Sequence, residues 1–240
     1  MSVSSIFTSQ TALWLAIAAA DLAFAVLLYY RFGKAGLQAA IGCAIVLANL
    51  LAPQLIQVAG IEISAGLIFY ASIFFATDVL NERHGPAEAG RAVMLGFYVS
   101  IIVVVMLGLA VMLEPSRSAI NAGFAADIHG AFATIINYSP RLVIGSLVAY
   151  LISQKLDVYL FDRLRTATDG KQLWLRNNIS TISAQLIDSI LFSLIAWWGI
   201  LDLKTTLSLA LATYLFKVVI AAIDTPFIYL ATRFKPSAAD

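Results

Sequence analysis

The chain has 240 residues, of which 61% are hydrophobic and only 12% are charged, and its mean hydropathy is +0.89. So apolar a sequence has too little polar surface to cover a soluble core, which excludes an ordinary water-soluble domain. The net charge of +1 and the lack of any basic tract argue against nucleic acid as a partner.

Apolar runs recur along the chain at the length that a helix needs to cross about 30 Å of hydrocarbon. Charged residues and Gly, Pro or Asn separate them. Seven membrane spans are predicted, at 11–30, 36–57, 64–80, 91–112, 141–161, 178–198 and 206–229. The pattern therefore predicts an all-α fold, a polytopic bundle of transmembrane helices.

Lys and Arg are distributed unequally between the two sides of the predicted bundle. One side holds Arg31, Lys34, Arg83, Arg91, Lys155, Arg163, Arg165, Lys171, Arg176, Arg233 and Lys235, and the other holds Arg117, Arg141 and Lys204. The positive-inside rule makes the richer side cytoplasmic. An odd number of spans then predicts an N-terminus outside the cell and a cytoplasmic C-terminus.

Two parts of the chain depart from the pattern of simple spans. The segment 114–140 is the longest non-spanning stretch, and its short apolar pieces predict an interfacial or a re-entrant helix on the outer face, two alternatives that the sequence leaves open. In the seventh span, Pro226 should free a backbone carbonyl one turn earlier. We expect this proline to interrupt the helix near its cytoplasmic end.

Residues that are mostly polar recur within the last three spans at steps of mainly three and four, which places them on one face of each helix. They are Ser146, Tyr150, Ser153, Gln154 and Asp157 in the fifth span, Asn178, Thr181, Gln185, Asp188, Ser189 and Phe192 in the sixth, and Tyr214, Lys217, Ala221 and Asp224 in the seventh. Because hydrocarbon offers no hydrogen-bond partners, these faces must contact protein or water. The three helices are predicted to share a polar interior.

Asp188 and Lys217 are the two ionisable residues predicted to lie deepest in the membrane. They lie about 15 Å and about 16 Å from the starts of their helices, at a rise of 1.5 Å per residue, so both fall near the midplane. An intramembrane charge is expensive, which makes a functional site the first hypothesis. We expect the two to approach each other or to share a ligand; the alternative is a purely structural ion pair.

Four blocks of the sequence carry a resemblance to a known family. The chain resembles the queuosine precursor transporters, also described as vitamin uptake transporter-like membrane proteins. The blocks occur in the family's order and with similar spacing, as ANLLAPQLIQVAGIEISAGLIFYASIFFATDVLNERHGPAEAGRAVMLGF, RLVIGSLVAYLISQKLDVYLFDRLR, LWLRNNISTISAQLIDSILF and YLFKVVIAAIDTPFIYL. Together they cover most of the chain from about residue 36 onward.

The resemblance implies a secondary carrier in the cytoplasmic (inner) membrane that imports 7-cyano- or 7-aminomethyl-7-deazaguanine by alternating access. Because the family's core has six spans, the first predicted span is an N-terminal addition. The implied division is residues 1–34 (additional helix and loop) and 35–240 (transporter core). No cofactor is expected, and the implied partners are a small deazapurine and the lipid bilayer, with a homodimer left open.

A deazaguanine presents hydrogen-bond donors and a carbonyl along one edge and a flat ring face. A carboxylate can accept from the donors, an amide or a cation can donate to the carbonyl, and aromatic rings can stack on the face. The candidate substrate-binding residues are Asp188, Gln185, Asn177, Asn178 and Lys217 for hydrogen bonding, and Tyr70, Phe74, Phe192 and Tyr214 for stacking. Asn177 and Asn178 could instead cap the sixth helix.

Five further residues are candidates for gating or for coupling transport to an ion. They are Asp78, Glu82, Arg141, Asp157 and Asp224. An alternative for Asp78 and Glu82 is solvation or pairing with Arg83 or Arg91.

The two remaining alternatives concern the fifth span. Asp157 could form an interfacial ion pair with Lys155 or Arg163. Arg141 could be a snorkelling anchor rather than an outer gate.

Two functions from other classes were weighed against the carrier. An intramembrane enzyme is disfavoured because the only histidines are His84 and His129, on opposite predicted faces, with no HExxH or GxSxG motif and no metal site. The other alternative is a substrate-binding membrane subunit that depends on a separate ATP-driven module, as in vitamin transporters of the energy-coupling type. The preferred deazaguanine and the coupling ion are not specified by the sequence.

Overall fold

The structure, a computed structural model, describes residues 9–118, 120–137 and 140–233, and this part of the chain is an all-α bundle. Its helices are α1 (Ser9–Leu51), α2 (Tyr70–His84), α3 (Pro86–Val111), α4 (Ala122–Ile136), α5 (Pro140–Ala167), α6 (Leu173–Trp197) and α7 (Leu203–Arg233). A short hairpin of β1 (Leu55–Val58) and β2 (Ile61–Ser64) and a 3-10 helix (Ala65–Phe69) lie between α1 and α2. The predicted fold class is confirmed.

α1 folds back on itself at Gly33. A straight helix of its 43 residues would be about 64 Å long, twice the thickness of the hydrocarbon core. Gly33 has φ 55° and ψ −137°, and the position of a Cβ on Gly36 lies only 2.1 Å from the carbonyl oxygen of Leu28. In a straight helix these residues would be about 12 Å apart. α1 therefore consists of two antiparallel arms that meet at Gly33.

The close approach of the two arms predicts a steric test. We expect Gly36→Ala to destabilise the protein by about 1–3 kcal/mol, because the new methyl group would overlap backbone that cannot move away. Gly42→Ala is the matched control, since a Cβ there meets nothing within 4 Å. Thermal unfolding of both variants in detergent measures the difference. Equal melting temperatures would contradict the close approach.

The second predicted span ends earlier than expected. The prediction of a helix up to residue 57 is wrong, because α1 ends at Leu51 and Pro53 disfavours further helix. Residues 55–58 instead pair with residues 61–64 in antiparallel register. Ala59 and Gly60, both with positive φ, form the turn that such a two-residue hairpin requires. The amide of Ala59 donates to Thr11 Oγ1 at 3.1 Å, which attaches the hairpin to the start of α1.

α2 is the central helix of the bundle. Ser64 caps the 3-10 helix by accepting from the amide of Gly66 at 3.2 Å, and α2 then runs to His84, four residues beyond the predicted boundary. It stops there because Gly85 has φ 84° and Pro86 starts the next helix. Every residue of α2 from Ala71 to Asn81 is buried. Polar side chains on any face of α2 therefore contact protein.

Five of the described helices, α1, α3, α5, α6 and α7, are long and apolar enough to cross a membrane. α1 has the length for two crossings, whereas α2 with 15 residues falls below the roughly 20 that a span needs. The count of seven spans, and the division of the chain at residue 34, stay predictions. In the segment 114–140, α4 forms a separate helix with no buried residue, packed on α3.

Pro226 does not interrupt the last helix. α7 continues from Leu203 to Arg233 through this proline, so the expected break is wrong. Helices in membranes tolerate proline where neighbouring polar groups satisfy the freed backbone. Pro226 frees the carbonyl of Ala222, four residues earlier, and next to it the hydroxyl of Thr225 donates to the carbonyl of Ala221 at 3.4 Å.

One end of the bundle gathers several basic side chains, and we call it the basic end. It comprises the Gly33 turn, the α2–α3 junction at Gly85, the α5–α6 connection and the end of α7 at Arg233. Three contacts join these elements: Lys34 to Glu88 at 3.1 Å, Arg165 to the carbonyl of Asn81 at 3.2 Å, and Arg83 to the carbonyl of Thr232. Lys235, counted with this side in the sequence, lies outside the described residues.

Candidate functional site

A cavity of about 410 Å³ enters the bundle from the end opposite the basic end. It reaches the surface beside the β-hairpin, where its lining residues Leu55 and Glu62 are exposed. Helices α1, α2, α3, α5, α6 and α7 each supply residues that line the cavity. Ile135 and Ile136 of α4 line one side of it. The volume lies within the range of roughly 300–1,000 Å³ that is usual for small-molecule sites.

The inner end of the cavity is formed by a buried ion pair. Lys217 Nζ donates to Asp188 Oδ2, and Ser153 Oγ donates to Asp188 Oδ1 at 3.1 Å. Lys217 Nζ also lies 4.5 Å from the centre of the Tyr70 ring, a distance that gives a cation–π contact. Asp188 and Lys217 are in contact, as predicted, although their role in binding stays a prediction.

A second polar layer lies beneath this ion pair, towards the basic end. It consists of Asp78 on α2, Asp157 on α5 and Asp224 on α7, each at most 1% exposed, and we call it the carboxylate layer. On α6, Thr181 Oγ1 lies 3.2 Å from Asp78 Oδ2 and 3.3 Å from Asp157 Oδ1, and Asn177 Nδ2 donates to Asp224 Oδ1 at 2.8 Å. On α6, Thr181 lies seven residues before Asp188, and on α7, Asp224 lies seven residues after Lys217. Because seven residues of helix rise about 10 Å, the two layers are about 10 Å apart.

A buried arginine closes the basic end below the carboxylate layer. Arg176 is 1% exposed and bonds both oxygens of Glu82, at 2.6 and 3.1 Å. It also donates to the carbonyls of Gly170 at 3.0 Å and Lys171 at 2.8 Å. The bidentate contact and the two carbonyls together serve four of the five N–H groups of the guanidinium. The bundle is thus open at one end and closed at the other.

The predicted substrate-binding residues divide into two groups. Four of them line the cavity: Tyr70, Asp188, Phe192 and Lys217. The other five lie elsewhere, with Phe74 and Gln185 enclosed at 1% exposure, Tyr214 partly buried on α7, Asn177 bonded to Asp224, and Asn178 bonded to the carbonyl of Trp174 and to Thr225. Asn177 and Asn178 lie close to the basic end, four and five residues after the first residue of α6.

The gating candidates have partners other than those the sequence suggested. Glu82 pairs with Arg176, whereas Arg91 bonds Glu88. Arg163 donates to Tyr159 at 3.1 Å instead of pairing with Asp157.

Arg141 lies at the opposite end, where it donates to the carbonyls of Ile195 and Trp198. These are carbonyls of the last turn of α6, so Arg141 satisfies the carboxyl end of that helix.

Some cavity residues were not among the candidates. Asn49, Glu62, Ser64 and Thr213 all line the cavity. Asn49 could have been found, because it is a polar residue deep within the second predicted span. Glu62 and Ser64 could not, because only the unpredicted hairpin turns them towards the opening.

Comparison with known proteins adds to this geometry. The family model described as "Putative vitamin uptake transporter" matches residues 64–231, which include α2, α3, α5, α6 and nearly all of α7. The chain belongs to this family. Membership of the vitamin uptake transporter family makes the protein a multi-pass membrane transporter of a small molecule, and it agrees with the resemblance found in the sequence.

Three relatives of this transporter carry names. The chain is 37% identical to the "Probable queuosine precursor transporter" of Bacillus subtilis (strain 168), over 93% of this chain and 95% of the relative. It is 28% identical to the "Queuosine precursor transporter" of Escherichia coli (strain K12), over 73% and 75%. It is 27% identical to the "Probable queuosine precursor transporter" of Haemophilus influenzae (strain ATCC 51907 / DSM 11121 / KW20 / Rd), over 66% and 63%. No solved structure matches the chain significantly.

Proposed function

We propose that this protein imports a queuosine precursor, 7-cyano- or 7-aminomethyl-7-deazaguanine, across the cytoplasmic membrane by alternating access. The observation that carries the proposal is the cavity that ends at the Asp188–Lys217 pair and is closed below it by two further polar layers. The relatives' names supply the substrate class.

The chemistry of the cavity suits a flat, hydrogen-bonding heterocycle. Asp188 offers acceptors for the ring NH and exocyclic amine, and Lys217 offers donors for the carbonyl. Tyr70 and Phe192 provide apolar ring surface at the same depth, beside the hydroxyl of Ser146. Asp188 and Lys217 bond each other, so a cargo that bonds both would share or replace their contact, which links occupancy of the cavity to the packing of α6 against α7.

The proposed orientation places the basic end in the cytoplasm, with the N-terminus outside and the C-terminus inside. The structure would then represent the outward-open state. Import requires the basic end to open, and this separates α2 from α6 at the Glu82–Arg176 contact. Arg141, at the outer end, would hold α5 to α6 during that change.

The proposal is tested by transport with the purified full-length chain in proteoliposomes. We expect labelled 7-cyano-7-deazaguanine to exchange across the membrane without any other protein. Uptake that requires added ATPase subunits would favour the binding-subunit alternative. Absence of exchange under both conditions would refute transport of this cargo, and parallel assays with the 7-aminomethyl compound identify the preferred substrate.

The orientation predicts which side reaches the cavity. In a Cys43→Ala background, Ser146→Cys and Thr213→Cys should react with a membrane-impermeant thiol reagent added outside intact cells, because both positions line the cavity. Ser180→Cys is the control, since Ser180 is fully buried near the basic end. Labelling measured by a gel shift should decrease when 7-cyano-7-deazaguanine is present. Labelling from the cytoplasmic side alone would reverse the orientation.

A further inference from the structure

The carboxylate layer contains three acidic side chains whose neighbouring cations bond other groups. Lys217 pairs with Asp188, and Arg176 pairs with Glu82. Arg165 donates to the carbonyl of Asn81. Three ionised carboxylates enclosed in protein, with no cation among the described residues in contact with them, would repel one another strongly. The layer must therefore bind positive charge from elsewhere.

The position of Thr181 between Asp78 and Asp157 indicates what that charge is. Its Oγ1 lies 3.2 Å from Asp78 Oδ2 and 3.3 Å from Asp157 Oδ1. Carboxylates have only acceptor oxygens, and the single hydroxyl hydrogen of Thr181 can serve one of them at a time. The other carboxyl group can bond the hydroxyl oxygen only when it holds a proton. One proton shared by the two acids satisfies this geometry.

Buried polar atoms without a partner connect the layer to the cavity. Among the described residues, these atoms include Asn177 Oδ1 within the layer, Gln185 Oε1 between the layer and the ion pair, and Ser189 Oγ next to the ion pair. All three residues are at most 1% exposed. Thr181, Gln185 and Asp188 follow one another on a single face of α6 at steps of about 6 Å or less, a spacing that water and protons can bridge.

We infer that Asp78 and Asp157 hold one proton between them, and that this proton is the coupling ion that enters from the cavity and leaves at the basic end. The inference rests on the proposed function, because it assigns the energy source of the same transporter. While the proton is bound, α2 and α5 are held together below the cavity. When it passes to water at the basic end, Asp78 and Asp157 both become negative, repel each other beside Asp224, and separate the helices.

Other charged groups surround the layer and fix the direction of proton release. On the four helices that form it, they are Glu82 on α2, Arg165 on α5, Arg176 and Asp188 on α6, and Lys217 on α7. On the helices packed outside α2, they are Asp21, Arg31 and Lys34 on α1 and Glu88 and Arg91 on α3. Arg165 and Arg176 lie on the basic-end side, where positive charge repels a bound proton but stabilises the carboxylates after its release.

The test uses the full chain in proteoliposomes loaded with a pH-sensitive dye. A gradient of one pH unit, acid outside, should accumulate labelled 7-cyano-7-deazaguanine up to about tenfold for one proton per cargo. Addition of cargo without a gradient should acidify the interior. Asp78→Asn and Asp157→Asn should abolish accumulation and acidification while exchange of labelled for unlabelled cargo continues. Asp127→Asn, at an exposed carboxylate on α4, is the matched control and should behave as the unaltered protein.

The outcomes separate this inference from the proposed function. If the unaltered protein exchanges cargo but a pH gradient drives no accumulation, the proton is not the coupling ion. Accumulation driven by a sodium gradient at equal pH would assign the site to Na⁺ and overturn the inference. If the unaltered protein exchanges no cargo, the proposed function itself fails. Measurements on the unaltered protein decide these cases even if a variant does not fold.

Discussion

Lys217→Met should abolish uptake of 7-cyano-7-deazaguanine and lower the free energy of unfolding by about 3–5 kcal/mol. The substitution leaves Asp188 negative, 2% exposed and without its cation. It also removes the donor offered to the cargo carbonyl and the cation above the Tyr70 ring. Uptake in proteoliposomes and thermal unfolding in detergent measure the two effects, and Lys155→Met, at an exposed position on α5, is the control.

The double variant Asp188→Leu with Lys217→Met separates binding from stability. Removing both charges leaves no unpaired ion, so most of the lost stability should return. If the pair binds cargo, uptake should remain absent in this stable protein. Recovery of uptake together with stability would show that the pair is purely structural.

Arg176→Met should lower the free energy of unfolding by about 3 kcal/mol, because it leaves Glu82 with only the more distant Arg165, at 4.0 Å, in the closed end of the bundle. The carbonyls of Gly170 and Lys171 lose their donors as well. We expect a lower melting temperature in detergent and reduced yield of monodisperse protein. Arg163→Met is the matched control, since Arg163 is exposed and donates only to Tyr159 among the side chains described.

Glu82→Gln combined with Arg176→Met should recover part of this stability, because the partly buried negative charge of Glu82 is then removed. Transport by this double variant reports on the closed end. If the Glu82–Arg176 contact holds that end shut, the stable double variant should exchange cargo but lose the outward preference measured by thiol labelling. Unchanged labelling would show that the contact does not control access.

The sequence predicted the membrane bundle and the meeting of Asp188 with Lys217 because both follow from local rules. A charged residue within an apolar run must find a polar partner, and the polar faces of α6 and α7 each carry one of the two. The partners of Glu82 and Asp157 were not predictable in this way. They depend on how α2 sits among α5, α6 and α7, which brings together residues as distant in sequence as Glu82 and Arg176.

The errors in the fold also have local causes. Residues 55–58 are apolar enough to continue a helix, and the hairpin depends on the positive φ of Ala59 and Gly60 and on pairing with residues 61–64. Pro226 is a strong local signal for a break, but tertiary packing holds α7 together across it. The cavity residues Glu62 and Ser64 follow from the first error, because their position depends on the hairpin.

The reversal of direction at Gly33 bears on how the protein is made. The two arms of α1 face each other at Leu28 and Gly36 with no loop between them. Because only Gly33 separates the two arms, the first arm cannot be anchored in the membrane far ahead of the second. We expect the arms to partition into the lipid as one preassembled unit, so that polar substitutions in either arm would impair insertion of both.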